Sequence, residues 1–313
     1  MEVANQLRDI TLEEARNSYA ELKEIACGRA KPFSRAGIKA LDYFFLHHRL
    51  RAKTKRHISF IEVLKDKKIM AYIHEKIRKI RADPDAIFAD KRRLLQNEYS
   101  VFQLYYGSIN QFRPTQAMKV YCKFKPKKGI LDFSAGWGGR CIGAMALGIP
   151  YVGVDANRLM EPTYKKMIKE YDPNAKVQLF FQPSETVDFK RFSYDLVFTS
   201  PPYFMLEEYE KMPQYGSKEG FLNKFFKPVV DGAWAALAPG GYMALNMPHD
   251  MYMAVRGLLP KIHSRMILPV SNRHPTNAGV GRTIGAEKER HEYTYIWKKA
   301  GGRSTTRKRT KPT

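Results

Sequence analysis

Cysteine is scarce in this chain. Its 313 residues hold three, Cys27, Cys122 and Cys141, scattered and odd in number. That pattern excludes a disulfide scaffold and a Cys-based zinc site, and it favours a reducing intracellular compartment. Long apolar runs are missing too. None approaches the roughly 20 residues of a membrane span, and the first ten residues, MEVANQLRDI, lack the apolar centre of a signal peptide. The expectation is a soluble intracellular protein without membrane contact, in cytoplasm or nucleus alike. No residues cluster at metal-ligand spacing, so no metal site is expected. Acidic residues are in deficit. Asp and Glu number 31 against 54 Lys and Arg, a net charge of +23. Hydrophobic residues make up 44%, so the chain is globular and general disorder does not explain the imbalance. A folded protein this basic is expected to meet a polyanion, and nucleic acid is the first candidate.

The first hundred residues have helical periodicity and no internal repeat. Thr11 and Glu14 stand at capping-box spacing, and Leu12, Ala15, Tyr19, Leu22 and Ile25 follow at a helical period. A second helix is expected from about Ala36 to Leu50. Ser59 and Glu62 repeat the capping-box spacing before a helix reaching about Ile80, and Asp83-Pro84-Asp85 marks a break. From Arg29 to Arg93, 19 Lys and Arg stand against 7 Asp and Glu. The bias is densest in RLRAKTKRH, Arg49 to His57. Arg49, Arg51, Lys53, Lys55 and Arg56 are therefore candidate phosphate contacts, in a segment that also carries Tyr43, Phe44 and Phe60.

After about residue 110, short apolar runs alternate with helical stretches, the pattern of an α/β domain with parallel strands. Seven strands are expected at 129–133, 151–155, 177–181, 195–199, 242–247, 265–270 and 293–297. Helices fit around 114–124, 138–147, 160–170, 219–238 and 250–262. The last two strands are joined by a loop rich in Gly, Asn and Arg, and should pair antiparallel. The division is then a basic helical region over 1–105, an α/β domain over 106–300, and a tail from 301 to 313. That tail has five Lys and Arg, no acid and no large apolar residue, so it is expected to be disordered.

Two motifs carry chemistry. Ile130-Leu131-Asp132-Phe133-Ser134-Ala135-Gly136-Trp137-Gly138-Gly139-Arg140 sets a glycine-rich turn between a strand and a helix. Glycines allow close backbone approach to a ligand, and a helix start offers free amides. The spacing is not the dinucleotide pattern, and the Lys-Ser/Thr of a phosphate loop is missing. Asp155 ends the next strand, 23 residues after Asp132, where a carboxylate suits a ribose diol. A cap on Asn157 onward is its plainer role. Ser184-Glu185 follows the third strand and suits an adenine edge. The second motif is Thr199-Ser200-Pro201-Pro202-Tyr203. Two prolines directly after a strand cannot continue a sheet. They make a rigid turn in which Ser200 Oγ and the Pro201 carbonyl can both accept from one amino group, while Tyr203 offers a ring face.

These two motifs together resemble the S-adenosylmethionine-dependent amino-methyltransferases of nucleic acids, over roughly residues 110–300. The Ser-Pro-Pro-Tyr form is most similar to the DNA cytosine-N4 enzymes; adenine-N6 enzymes more often carry Asp or Asn first. The resemblance implies a Rossmann-like methyltransferase fold with a seven-stranded, mostly parallel sheet whose last strand is antiparallel. It implies S-adenosylmethionine as cofactor, with Phe112 and Pro114, Asp132, Ser134 to Gly138, Asp155, Ala156, Asn157, Ser184 and Glu185 around it. It implies catalysis at Ser200, Pro201, Pro202 and Tyr203, and a nucleic-acid substrate, DNA before RNA. The glycine loop departs from the family's Pro-Phe-x-Gly-x-Gly form, and the bulk of Trp137 should shape the pocket. No separate target-recognition region is evident. Residues 204–221, with Phe204, Tyr209, Tyr215 and Phe221, and the 271–291 loop, with Asn272, Arg273, His274 and Arg282, are what remains for it. Arg273 and Arg282 are further nucleic-acid contacts in this reading. Cytosine-C5 methylation needs a Cys beside a Pro, and none stands in that place. His249 and His274 are isolated. The alternatives are an RNA base as acceptor, an inactive nucleic-acid-binding protein of the same fold, and methylation of a protein glutamine, which uses a related Asn-Pro-Pro-Tyr turn.

Overall fold

The computed structural model describes residues 2–25, 27, 34–82, 93–202, 215–257, 260–269 and 291–301. Outside them lie the expected break at Asp83-Pro84-Asp85, Tyr203, Phe204 and Tyr209, the loop residues Asn272, Arg273, His274 and Arg282, and the tail beyond residue 301.

Before the sheet come α1 (Glu2–Leu7), α2 (Leu12–Glu24), α3 (Ile38–Arg49), α4 (Phe60–Val63), α5 (Lys67–Arg81) and α6 (Leu94–Tyr105). Both capping boxes form. Thr11 Oγ1 accepts from the Glu14 amide while the Glu14 carboxylate accepts from the Thr11 amide. Ser59 and Glu62 do the same. Each box satisfies two amides that a helix start leaves free. The single helix expected from Ser59 to Ile80 is in fact two. α4 stops at Val63, and Asp66 opens α5 as a fresh cap, accepting from the Lys68 and Ile69 amides. In the sequence Asp66 passes for one more surface charge among lysines.

These helices bury a core of their own, with Leu46, Phe60, Val63, Ile73, Ile77 and Phe102 at its centre. α2 and α3 also look the other way. Their Tyr19, Leu22, Leu41 and Phe45 belong to the core that lies against the sheet. The helical region is thus packed onto the α/β domain through a shared interior.

All seven expected strands are present: β1 (Ile130–Asp132), β2 (Tyr151–Asp155), β3 (Val177–Phe181), β4 (Leu196–Thr199), β5 (Tyr242–Met247), β6 (Ser264–Pro269) and β7 (His291–Lys298). Their order across the sheet is β3-β2-β1-β4-β5-β7-β6. β1 to β5 pair in parallel. β7 runs antiparallel between β5 and β6. This is the mostly parallel, Rossmann-like sheet expected, with its one reversed strand where the sequence places it. Strand residues alternate between the two faces. Ile130, Leu196 and Phe198 meet α7 (Pro114–Phe124), α8 (Gly139–Ala146) and α9 (Glu161–Tyr171) on one side. Leu131, Val197 and Leu245 meet the other side, built from α10 (Lys218–Phe221), a π-turn (Leu222–Phe226), α11 (Lys227–Ala236) and α12 (His249–Val255). The helix expected over 219–238 therefore contains a π-turn, and the one expected over 250–262 ends at Val255. Because β1 to β4 are parallel neighbours, the loops after them emerge along one edge, where open α/β sheets bind ligands.

The cysteine reading needs a correction. Cys27 and Cys122 form a disulfide, with Cα atoms 5.3 Å apart at a sequence separation of 95. Cys141 is the free cysteine, and it is buried. The bond ties the chain just after α2 to α7. Nothing in three scattered cysteines announces a pairing across that distance. Reduction is expected to lower the unfolding free energy by about 2–4 kcal/mol, chiefly by releasing the unfolded chain. Denaturant titration with and without reductant measures this, and Cys27→Ser should abolish the difference.

Candidate functional site at the carboxyl edge of the sheet

The loop between β1 and α8 holds the glycines. Gly136 and Gly138 have φ of +61° and +78°, a region that side chains disfavour. The three glycines serve different contacts. A Cβ on Gly139 would be built into the Phe112 carbonyl oxygen, and one on Gly138 would lie 2.9 Å from a ring carbon of Phe45. Those two glycines let the loop pack against the segment before α7 and against α3. At Gly136 a Cβ would find nothing nearer than the Ser134 carbonyl oxygen, 3.7 Å away. Gly136 is therefore the least crowded of the three. Trp137 is buried and belongs to the core shared with α2 and α3. Ala135 is buried beside it, its amide bonded to the Val154 carbonyl at 2.9 Å. The Tyr164 hydroxyl donates to the Gly136 carbonyl at 2.9 Å.

Beneath the loop lies a residue that sequence reasoning missed. Arg140 Nε donates to Asp132 Oδ2 at 2.7 Å, and Nη2 reaches both Asp132 Oδ1 and the Ser134 carbonyl. The Tyr151 hydroxyl donates to Asp132 Oδ2 at 2.6 Å, and the Ser134 amide to Oδ1 at 3.2 Å. Asp132 is 0% exposed and Arg140 4%. Burial alone would lower the Arg140 pKa, but the Asp132 carboxylate outweighs it and raises that pKa above its usual value. Asp132 thus faces inward with both oxygens engaged, and it holds the loop from below. The available signal was an Arg in the first turn after the glycines, where the helix faces the sheet. Phe112 covers this pair, its ring 5.2 Å from the guanidinium and 5.5 Å from the Phe198 ring. Pro114 is buried at the first position of α7.

The second acid sits differently. Asp155 Oδ2 accepts from the Gly136 amide at 2.8 Å and Oδ1 from the Asn157 amide at 2.9 Å. It caps the turn and links the end of β2 to Gly136. Each carboxylate oxygen keeps capacity for another donor. Burial raises its pKa to about 6. Ala156 is half-buried and Asn157 buried, with Asn157 Oδ1 accepting from the Leu159 amide at 3.1 Å. Ser184 Oγ donates to the Phe133 carbonyl at 2.6 Å, tying the end of β3 to β1. Ser134 Oγ donates to the same carbonyl at 2.8 Å. Glu185 Oε1 accepts from the Tyr215 hydroxyl at 3.0 Å. Its Oε2 is buried and has no hydrogen-bond partner among the described residues. A buried carboxylate oxygen without a donor is costly, so this atom marks a place for one.

The turn after β4 completes the edge. Thr199 is fully buried, Pro201 is buried, and Ser200 and Pro202 are half-buried. Tyr203 lies outside the described residues. His249 is exposed at the start of α12, its Nδ1 3.0 Å from the Tyr295 hydroxyl. Among the described residues no group of His, Cys, Asp and Glu is arranged to hold a metal, and no helix is long and apolar enough to cross a membrane.

The basic segment divides. Arg49 is a correction: it is 7% exposed and paired with the buried Asp42, seven residues and two turns earlier on the same face of α3. Arg8 pairs with the same carboxylate, and Gln111 Nε2 donates to it at 3.2 Å. This clasp joins α3 to the segment before Phe112 and leaves Arg49 no access to a phosphate. Arg51, Lys55 and Arg56 are exposed; Lys53 is half-buried, 3.6 Å from Glu62.

The residues present fit the S-adenosylmethionine that the resemblance implies. Gly136 is the least crowded glycine of the loop, Asp155 has spare lone pairs for a diol, and Glu185 Oε2 lacks a donor that an adenine amine can supply. The chain matches no protein-family profile and no curated protein. Among solved structures it is similar to TrmN from Thermus thermophilus, at 17% identity and a TM-score of 0.42, over 59% of this chain and 48% of that one. It is similar to an S-adenosylmethionine-dependent O-methyltransferase from Thermotoga maritima, at 16% identity and a TM-score of 0.39, over 65% and 71%. It is also similar to the rRNA methyltransferase RsmC of Thermus thermophilus, in complex with AdoMet and guanosine, at 16% identity and a TM-score of 0.38, over 63% and 45%. The matched region is thus about half the length of TrmN and of RsmC.

Proposed function

We propose that the protein transfers the methyl group of S-adenosylmethionine to the exocyclic amine of a nucleic-acid base. One observation carries this reading. The glycine loop, Asp155, Ser184-Glu185 and Ser200-Pro201-Pro202 follow the carboxyl ends of four neighbouring parallel strands, β1, β2, β3 and β4. A cofactor cradle and an amine-holding turn thereby share one edge.

The bound cofactor supplies an electrophilic methyl group. Everything else falls to the chain. Asp155 holds the ribose diol, Glu185 the adenine edge, and Gly136 lets the ligand lie close to the backbone. An exocyclic amine conjugated with its ring is a poor nucleophile. Ser200 Oγ and the Pro201 carbonyl accept hydrogen bonds from its two N–H groups, favour its pyramidal form and aim its lone pair; Tyr203 offers a face for the ring. Positioning and charge matching lower the barrier, and the proton leaves to water afterwards. In a duplex the base must first be flipped out, at a cost of a few kcal/mol. Cytosine N4 in DNA is the first acceptor to test, adenine N6 the second, and an RNA base the third. The exposed Arg51, Lys55 and Arg56 hold the backbone. Incubation with methyl-labelled S-adenosylmethionine and duplex DNA, single-stranded DNA or RNA tests this; no transfer to any of them sinks it.

Asp155 gives the reaction a pH signature. Its carboxylate form accepts both ribose hydroxyls, and its pKa is about 6. Below that value a proton must be removed before binding, so cofactor affinity should fall by up to about tenfold per pH unit and level off above it. Calorimetric titration across about pH 5 to 8 reads the profile. Asp155→Asn should lower the plateau and flatten the curve.

A further inference from the structure

Ile73, Ile77 and Ile80 form the buried stripe of α5. One position back, at the same helical spacing, runs a second stripe of Lys68, Tyr72, Lys76 and Lys79. Residues three and four apart share a helix face. Tyr72 is 39% exposed, yet its ring is held. Tyr105 of α6 meets it edge-on, with centroids 5.8 Å apart at 83°. Lys76 Nζ stands 4.8 Å from the Tyr72 centroid and 5.5 Å from that of Tyr105. On the face of the ring stand Lys68, Lys76 and Lys79, with one acid of α5, Glu75, which pairs with Lys79.

The chain leads from this surface toward the site. A Cβ on Gly107, two residues after Tyr105, would come within 3.6 Å of Thr54 and 3.9 Å of Lys55. The segment 51–56, with its exposed Arg51, Lys55 and Arg56, therefore lies beside the end of α6. From Gly107 the chain reaches Phe112, whose carbonyl touches the glycine loop, in five residues.

Lysines alone satisfy a phosphate backbone. An oriented aromatic ring exposed among lysines serves a base, and only an unpaired base has a free π-face to stack on it. We propose that Tyr72, flanked by Lys68, Lys76 and Lys79, is a stacking platform for single-stranded nucleic acid, so that the substrate arrives as an unpaired strand. As a statement about substrate this rests on the methyl-transfer reading; as a binding surface it is tested separately.

The test is fluorescence anisotropy on the full chain, with a labelled oligothymidylate of about 12 nucleotides and a mixed-sequence duplex of similar length. The single strand should bind more tightly. Tyr72→Ala should weaken it by about 5- to 100-fold and leave the duplex affinity within about twofold, whereas Tyr72→Phe, which keeps the ring, should bind as the parent does. Lys76→Gln should lower the salt slope by about one counterion. The inference is overturned if Tyr72→Ala leaves strand affinity unchanged, weakens strand and duplex alike, or is matched by Tyr72→Phe. It is equally overturned if polyglutamate displaces the protein's strand as well as unlabelled oligonucleotide does. Absence of methyl transfer alongside a selective Tyr72→Ala loss removes the reaction and keeps the surface; transfer with unchanged Tyr72→Ala binding does the reverse.

Discussion

Replacing Ser200 by alanine is expected to lower the methyl-transfer rate by about 100-fold or more while S-adenosylmethionine affinity stays within about twofold. Ser200 follows β4 at the sheet edge and precedes two residues that have no amide to offer. Its hydroxyl is the side-chain acceptor proposed to hold the amine. That contact matters most as the amine becomes pyramidal, so its loss should appear in kcat and leave cofactor binding alone. The cofactor groups stand on other strands, after β1, β2 and β3, which is why the two effects should separate. Transfer at the parent rate by Ser200→Ala would remove the turn from the mechanism.

Asp132→Ala should be among the most destabilising single changes in the chain. It leaves the Arg140 guanidinium buried with its carboxylate gone, a loss of about 3–5 kcal/mol. The Tyr151 hydroxyl and the Ser134 amide lose their acceptor at the same time. Thermal unfolding should drop by about 10 °C, given a few degrees per kcal/mol for a protein of this size. Asp155→Asn keeps one of its two backbone-amide contacts, so it should cost less stability than Asp132→Ala while cofactor affinity falls. On the proposed reading, two carboxylates 23 residues apart, each at the end of a strand, separate into one that holds the loop and one that holds the ligand. An Asp132→Ala protein that melts normally but fails to bind the cofactor would reverse their roles.

The strands were legible because buried parallel strands leave continuous apolar runs such as YVGVD and LVFT, and burial is what residue type reports best. The capping boxes were legible because both partners lie three residues apart. What was hidden shares one property: a charged or polar group whose partner lies far along the chain or out of sight inside. Arg49 reads as one more cation in RLRAKTKRH, yet Asp42 takes it into the interior. Arg140 reads as a helix surface residue, yet it is paired with Asp132. Cys27 and Cys122 stand at a sequence separation of 95. The glycines were recognisable as a loop, but only packing assigns Gly138 to Phe45 and Gly139 to Phe112, and leaves Gly136 the least crowded.

The central claim concerns where a methyl group ends up. Methyl-labelled cofactor, the protein and an unpaired acceptor strand should give a nucleoside whose mass rises by one methyl and whose fragmentation and proton spectrum place that methyl on an exocyclic nitrogen. Label on a ring carbon, a ring nitrogen, a ribose oxygen or a protein side chain would contradict the account.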